Sequence, residues 1–181
     1  MSNADNEIIV TKTKSWITNV VVACNFCPFA AREIKRGSIH YEVLHEVTTK
    51  NVLEAILKIF LLLDENNKIE TSLLILPDSF ADFNDYLDLV EKAETLLTKN
   101  NYEGIYQIAS FHPKYMFVGS NENDPSNYTN RSPYPMLHFL REDSVTKAIA
   151  GYTDIENVPK RNIAFTKEKG LAYMQQLLKS I

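Results

Sequence analysis

Apolar positions along this chain alternate between helical and strand spacings. Over residues 7–27, Ile9, Thr13, Trp16, Val20, Ala23 and Cys27 recur at intervals of three and four, which predicts a helix. The run Val20-Val21-Val22 works against it, because β-branched residues favour strands. Pro28 stops that helix and suits the first turn of another. Gly37 suits the position just beyond its end, so 28–36 is predicted as a second helix. Residues 39–46 read as a strand with Ile39, Tyr41 and Val43 inward. A helix over about 50–64 follows, capped by Thr48 or Thr49, with Val52, Ile56, Ile59, Phe60 and Leu63 on one face. The continuous apolar run 72–76, closed by Pro77, predicts a strand buried on both faces.

The second half repeats the alternation. Asp78 or Ser79 caps a predicted helix over 80–99, with Phe83, Leu87, Val90 and Leu97 periodic. Strands are predicted at 105–111 and 136–140, a helix at 144–151, and a last helix at 156–179 weakened near Pro159 and Gly170. Strands separated by helical spacers imply parallel crossovers. The expected fold is therefore α/β, a single domain. Its three to four stranded mixed, mainly parallel sheet is covered by helices, and the fourth strand lies antiparallel at an edge. Ligands of such sheets sit beyond the carboxyl ends of the strands.

Between the last two strands the periodicity stops. Residues 112–135 are dense in Asn, Asp, Ser and Pro, and include Asn127-Tyr-Thr-Asn-Arg-Ser-Pro-Tyr-Pro135. Structureless loops longer than about 12–15 residues are uncommon in compact domains unless they are sites, lids or disordered. Tyr115, Phe117, Tyr128 and Tyr134 are anchors that disordered segments lack. An ordered loop is expected, presenting His112, Asn127, Asn130, Arg131 and Ser132.

Three residues are candidates for catalysis. Cys27, if it caps the helix opened by Pro28, faces unpaired N–H groups that favour a thiolate nucleophile. The alternative is a small buried hydrophobe, which is the preferred reading of Cys24. His112 opens the long loop at a strand end, where an imidazole can serve as acid or base; it can equally order loop carbonyls. His138 is a further acid/base candidate or a satisfied core histidine. Asn127, Asn130, Arg131 and Ser132 form a candidate binding cluster. The planar fork of Arg131 suits carboxylate or phosphate, whereas the asparagines and serine also build turns by themselves. His40 and His45 lie five apart on a strand and face opposite sides, so they are set aside. A Cys27–His112–His138 metal site is chemically possible but lacks diagnostic spacing, and no metal or cofactor is assigned.

Composition narrows the function classes. With 181 residues, 45% hydrophobic and 23% charged, the chain can bury a core without disulfides or metal. Net charge −4 with scattered basic residues argues against nucleic-acid partners. The polar, acidic start carries no signal-peptide pattern. The most apolar run, 55–63, is too short for a membrane span, so a cytoplasmic, membrane-free protein is expected. In that compartment the Asn127 and Asn130 glycosylation patterns are coincidental and a Cys24–Cys27 disulfide is disfavoured. Five glycines leave no phosphate cradle, and no dinucleotide fingerprint or nucleophile elbow is present.

Asn25-Phe-Cys27-Pro-Phe-Ala30, Ala109-Ser-Phe-His112-Pro-Lys-Tyr115, the 127–135 run, Leu137-His138 and Leu140-Arg-Glu142 give the chain a close resemblance to a bacterial family, domain-of-unknown-function family 1415. The resemblance covers nearly the whole chain. It features the cysteine at position 27 and not the one at 24, and implies no activity, substrate or cofactor. The residues themselves point to a small enzyme acting on an anionic or polar small molecule, with Cys27 as nucleophile or redox thiol, His112 and His138 as acid/base, and the Asn/Arg cluster holding substrate. The alternatives are a non-catalytic small-ligand or metal-binding module, and an interaction protein using the 112–135 loop. The sequence does not define an oligomeric state.

Overall fold

A computed structural model describes residues 3–150 and 155–181. Helix α1 (Asn3–Trp16) runs into a π-helical segment (Ile17–Val22), followed by α2 (Ala30–Arg36) and strand β1 (Ile39–Val43). Then come α3 (Thr49–Glu65), β2 (Thr71–Ile75), α4 (Phe83–Lys99) and β3 (Tyr106–Phe111). The loop that follows contains a 3-10 turn (Pro125–Thr129) and leads to β4 (Met136–Arg141), α5 (Glu142–Ala150) and α6 (Val158–Lys179).

The sheet is four-stranded and mixed, in the order β1-β2-β4-β3. β1 and β2 pair in parallel, and β4 pairs antiparallel with both β2 and β3. β1, β2 and β3 therefore run one way, as the alternation of strands and helices implied. The correction concerns β4. It is antiparallel but interior, filling the space that the β2–α4–β3 crossover leaves open. Only a chain returning from far along the sequence can enter there, and the long loop makes that return.

Each face of the sheet carries its own core. Leu74 and Leu76 of the β2 segment, with Tyr106, Leu137 and Phe139, meet α3 and α4 around Phe60. Leu73, Ile75 and Met136 meet α1, the π-helical segment and α6. Every residue of β2 is buried, which explains its unbroken apolar run. The α3 reading holds in detail: Val52, Ile56, Ile59, Phe60 and Leu63 are all buried. Its start is a reciprocal capping box between Thr48 and Asn51. Gly37 closes α2 with φ of 63°, a left-handed conformation that favours glycine.

Two helices depart from expectation. α4 begins at Phe83, capped by Asp82, whose carboxylate accepts from the N–H groups of Asn84 and Asp85. Ser79, one of the expected caps, instead accepts from the Val47 N–H. The buried stripe is Tyr86, Leu89, Ala93 and Leu97, while Leu87 is exposed. At the other end of the chain, the π-helical segment holds more residues in a turn than an α-helix, so the apolar stripe slips by one. Ala23 faces out and Cys24 faces in. The expected 144–151 helix is α5, with residue 151 outside the described region. α6 is kinked at Gly170, where φ is 79°.

Candidate functional site

The wide π turn determines how Cys27 is presented. Below it the chain reverses through Asn25, at φ 55°, a region asparagine tolerates better than most residues. α6 clamps this turn. Arg161 donates to the Asn25 carbonyl, Asn162 donates to the Phe26 carbonyl at 2.8 Å, and Phe165 packs its ring on Phe26 at 5.8 Å. Phe26 is thereby buried, and Cys27 is left half-buried. Cys27 is not the cap of α2. That helix starts at Ala30, with Phe29 at the cap position, because Pro28 sits in the preceding turn and not in the first helical turn. The N-cap argument for an activated thiol therefore does not apply.

Cys27 lines a hollow of about 340 Å³ on the α1 side of the sheet. Its floor comes from alternate residues of all four strands: Ile39, Thr71 and Leu73, His138 and Leu140, Gln107, Ala109 and Phe111. The walls are Trp16, Ile17 and Val21 on one side and Val145 and Ala148 of α5 on the other. Ala109 sits directly across from His138 in the β3–β4 register. A small side chain there leaves the floor open above the imidazole. The hollow lies towards the amino ends of β1, β2 and β3, opposite to the end where such sheets ordinarily bind ligands.

His138 and Thr71 form the polar pair in this floor. The Thr71 hydroxyl oxygen lies 2.5 Å from the Phe139 carbonyl and 2.6 Å from His138 Nε2. A carbonyl only accepts, so the single hydroxyl proton goes to Phe139. Nε2 must then carry a proton and donate to Thr71. This leaves Nδ1 unprotonated, and it makes no hydrogen bond to any described residue. Burial beneath apolar neighbours lowers the His138 pKa to about 4. The ring is neutral at physiological pH, with one lone pair available inside an apolar chamber.

Acidic groups stand beside it. Glu33 is buried, accepting from Ser38 Oγ at 2.7 Å and from Arg32 Nε. Glu70 also lines the hollow, and its Oε1 is buried without a hydrogen-bond partner. No group of three or more His, Cys, Asp or Glu among the described residues is placed to hold a metal ion. No described helix is long and apolar enough to cross a membrane.

The structure does not bring His112 to Cys27. His112 is fully buried on the α4 side of the sheet, its ring tilted against Phe83 at 5.2 Å and Tyr86 at 4.9 Å. Both nitrogens are engaged: Nε2 donates to the Phe80 carbonyl and Nδ1 accepts from the Lys114 N–H, each at 2.9 Å. Burial, foremost, holds its pKa below the ordinary histidine value.

Comparison with known families places the chain. The model of a family described as "Protein of unknown function (DUF1415)" matches residues 8–176. The chain belongs to that family. No curated protein and no solved structure matches it. The segments that carried the DUF1415 resemblance now have physical roles. Asn25 to Ala30 form the clamped turn that delivers Cys27. The 127–135 run orders the long loop from within. Asn127 Oδ1 accepts from the Phe117 N–H and Ser120 Oγ, and its Nδ2 donates to the Asn121 carbonyl. Asn130 Nδ2 donates to the Ser110 carbonyl, and Ser132 Oγ to the Tyr134 carbonyl. Arg131 donates to the carbonyls of Tyr115 and Glu122 while its guanidinium lies 4.6 Å from the Tyr128 ring centroid. The four residues read as a substrate clamp are thus tied to the backbone of the loop and, through Asn130, of the end of β3. The loop is tied to the wall of the hollow by a hydrogen bond: Trp16 Nε1 donates to the Arg131 carbonyl at 3.0 Å.

Trp16, Glu33, Glu70, Thr71 and Ala109 belong to the hollow and were not singled out in the sequence. Only Trp16, the sole tryptophan, carried a visible signal. The two thiols give a direct check on this geometry. Cys24 is buried, and burial raises its pKa. In single-thiol variants (Cys24→Ser and Cys27→Ser), iodoacetamide is expected to alkylate Cys27 at least about tenfold faster than Cys24. Equal rates by mass spectrometry would contradict the placement of Cys27 at the hollow.

Proposed function

We propose that this protein binds a small, largely apolar molecule in the hollow between the sheet, the π-helical segment and α5. The observation that carries this reading is the chamber itself: about 340 Å³, apolar on most sides, with one free imidazole lone pair in its floor. Ligand sites are commonly of this kind, apolar with few convergent polar groups, at volumes of about 300–1,000 Å³. Binding is favoured over acid–base catalysis on magnitude. A general base works best with a pKa near the operating pH. An imidazole at about 4 is about a thousandfold too weak at pH 7, a deficit of about 4 kcal/mol. The same ring is well suited to accepting a hydrogen bond while staying neutral at physiological pH.

Trp16 supplies the readout, because it is the sole tryptophan and forms a wall of the hollow. A neutral aromatic probe, 2-phenylethanol, is expected to change its emission saturably at millimolar concentration. Ala109→Phe fills the floor opposite His138, and affinity should fall at least about tenfold, since one blocked aromatic contact amounts to about 1.5–3 kcal/mol. An unsaturable wild-type response, or equal affinity in the filled variant, would overturn the reading. Circular dichroism of the variant checks that it folds.

A further inference from the structure

The polar groups of the hollow are unequally engaged, and the inequality specifies a ligand. Two guanidinium groups line it, and both already have partners. Arg32 donates to Glu33. Arg141 donates to the carbonyls of Leu63, Asn66 and Ile69, at the carboxyl end of α3, where the negative end of the helix dipole also offsets its charge. The Thr71 hydroxyl proton is held by Phe139. Two strong acceptors remain: His138 Nδ1 and the side chain of Glu70, whose Oε1 is buried without a partner. Glu70 forms no ion pair among the described residues. It stands, with Arg141 and Ser144, where the apolar hollow adjoins a second one of about 410 Å³ that Asp143 and Lys147 also line. Those two form a long ion pair with each other at 3.9 Å. The chamber therefore offers apolar walls, an acceptor in its floor and, where the two hollows adjoin, a glutamate with no ion-pair partner among the described residues.

Resting on the binding role argued above, we propose that the hollow selects apolar molecules whose polar end donates hydrogen bonds, a protonated primary amine above all, and rejects carboxylates. An ammonium group brings three donors and a positive charge to the Glu70 side chain. It needs no rearrangement of either arginine. A carboxylate would meet these acceptors and the acidic side chains of Glu33 and Glu70, with Arg141 already bonded to backbone carbonyls and Arg32 Nε held by Glu33, so its charge would be poorly compensated. This reverses the anion-binding expectation that Arg131 raised from the sequence.

Three probes of matched size decide the matter: phenethylamine, 2-phenylethanol and phenylacetate, titrated at pH 7 against Trp16 emission and by calorimetry. The amine is expected to bind at least about tenfold tighter than the alcohol, the size of one charge-assisted hydrogen bond. Phenylacetate is expected to bind more weakly than either. In Glu70→Gln the amine-to-alcohol preference should collapse to about one. Phenylacetate binding as tightly as the amine, or a preference that survives Glu70→Gln, would overturn the donor-selective proposal alone. Silence from all three probes would overturn it together with the binding role beneath it. The wild-type comparison stands even if the Gln variant fails to fold.

Discussion

Replacing His112 with alanine is expected to destabilise the fold by about 4 kcal/mol, the range of a buried ring lost from a core plus two stranded polar groups. For a chain of this length that lowers the melting temperature by about 10 °C. The ring lies between the strand end and the aromatic pair Phe83–Tyr86. Its removal empties that space. It also leaves the Phe80 carbonyl and the Lys114 N–H without partners. Phe80 is held at φ 58°, an unfavourable conformation for a bulky residue, so its hydrogen bond helps to fix a strained turn before α4. His112→Asn keeps an acceptor near the Nδ1 position and should recover part of the loss. Ligand affinity in the hollow should stay within about twofold in both variants, because His112 lies across the sheet. Thermal unfolding of an unchanged His112→Ala protein would contradict this assignment.

The second large effect is a pH dependence. His138 has a folded pKa of about 4 against an ordinary value of 6.5. Between these values the unfolded chain holds more protons than the folded one, so stability rises with pH. The full contribution is present above about pH 6.5 and is lost as pH falls towards 4. Integrated over that window, His138 alone accounts for about 3 kcal/mol. His112 and His40, also lowered mainly by burial, act in the same direction. The His138 share is isolated by His138→Phe. That change leaves the Thr71 hydroxyl bonded to Phe139 and strands no donor. Urea unfolding at pH 7 and pH 4.5 should show a smaller loss in the variant than in the wild type. An identical loss in both would show that His138 does not titrate as its burial dictates.

How much of this was legible depends on how local each determinant is. α3 could be read almost residue by residue, because its cap and its five buried positions are set by neighbours within the helix. The start of α4 could not. Asp78, Ser79 and Asp82 are all competent caps, and Ser79 is drawn away by Val47, a contact 32 residues distant. The π-helical segment left only the β-branched run Val20-Val21-Val22 as a trace. That run weakened the helix without revealing the slip that buries Cys24. The interior position of β4 is a property of pairing between strands and has no local signature.

The candidate site shows the same division. The 112–135 loop was legible as ordered because its aromatic residues demanded burial. The destinations of its polar side chains were not, since Asn127, Asn130, Arg131 and Ser132 bond to backbone groups, which every residue carries. The hollow was hidden because its floor comes from one to three residues on each of four strands. Its openness depends on Ala109, a residue that is informative only when His138 lies opposite.

The most direct test of the central claim is a chemical-shift map. Phenethylamine would be titrated into ¹⁵N- and methyl-labelled protein at pH 7. The account predicts that Val21, Ile39, Ala109, Leu140 and Val145 shift together with the Trp16 indole, while amides of Tyr115, Asn127 and Arg131 stay still. Shifts centred on the 112–135 loop, with the hollow silent, would contradict it.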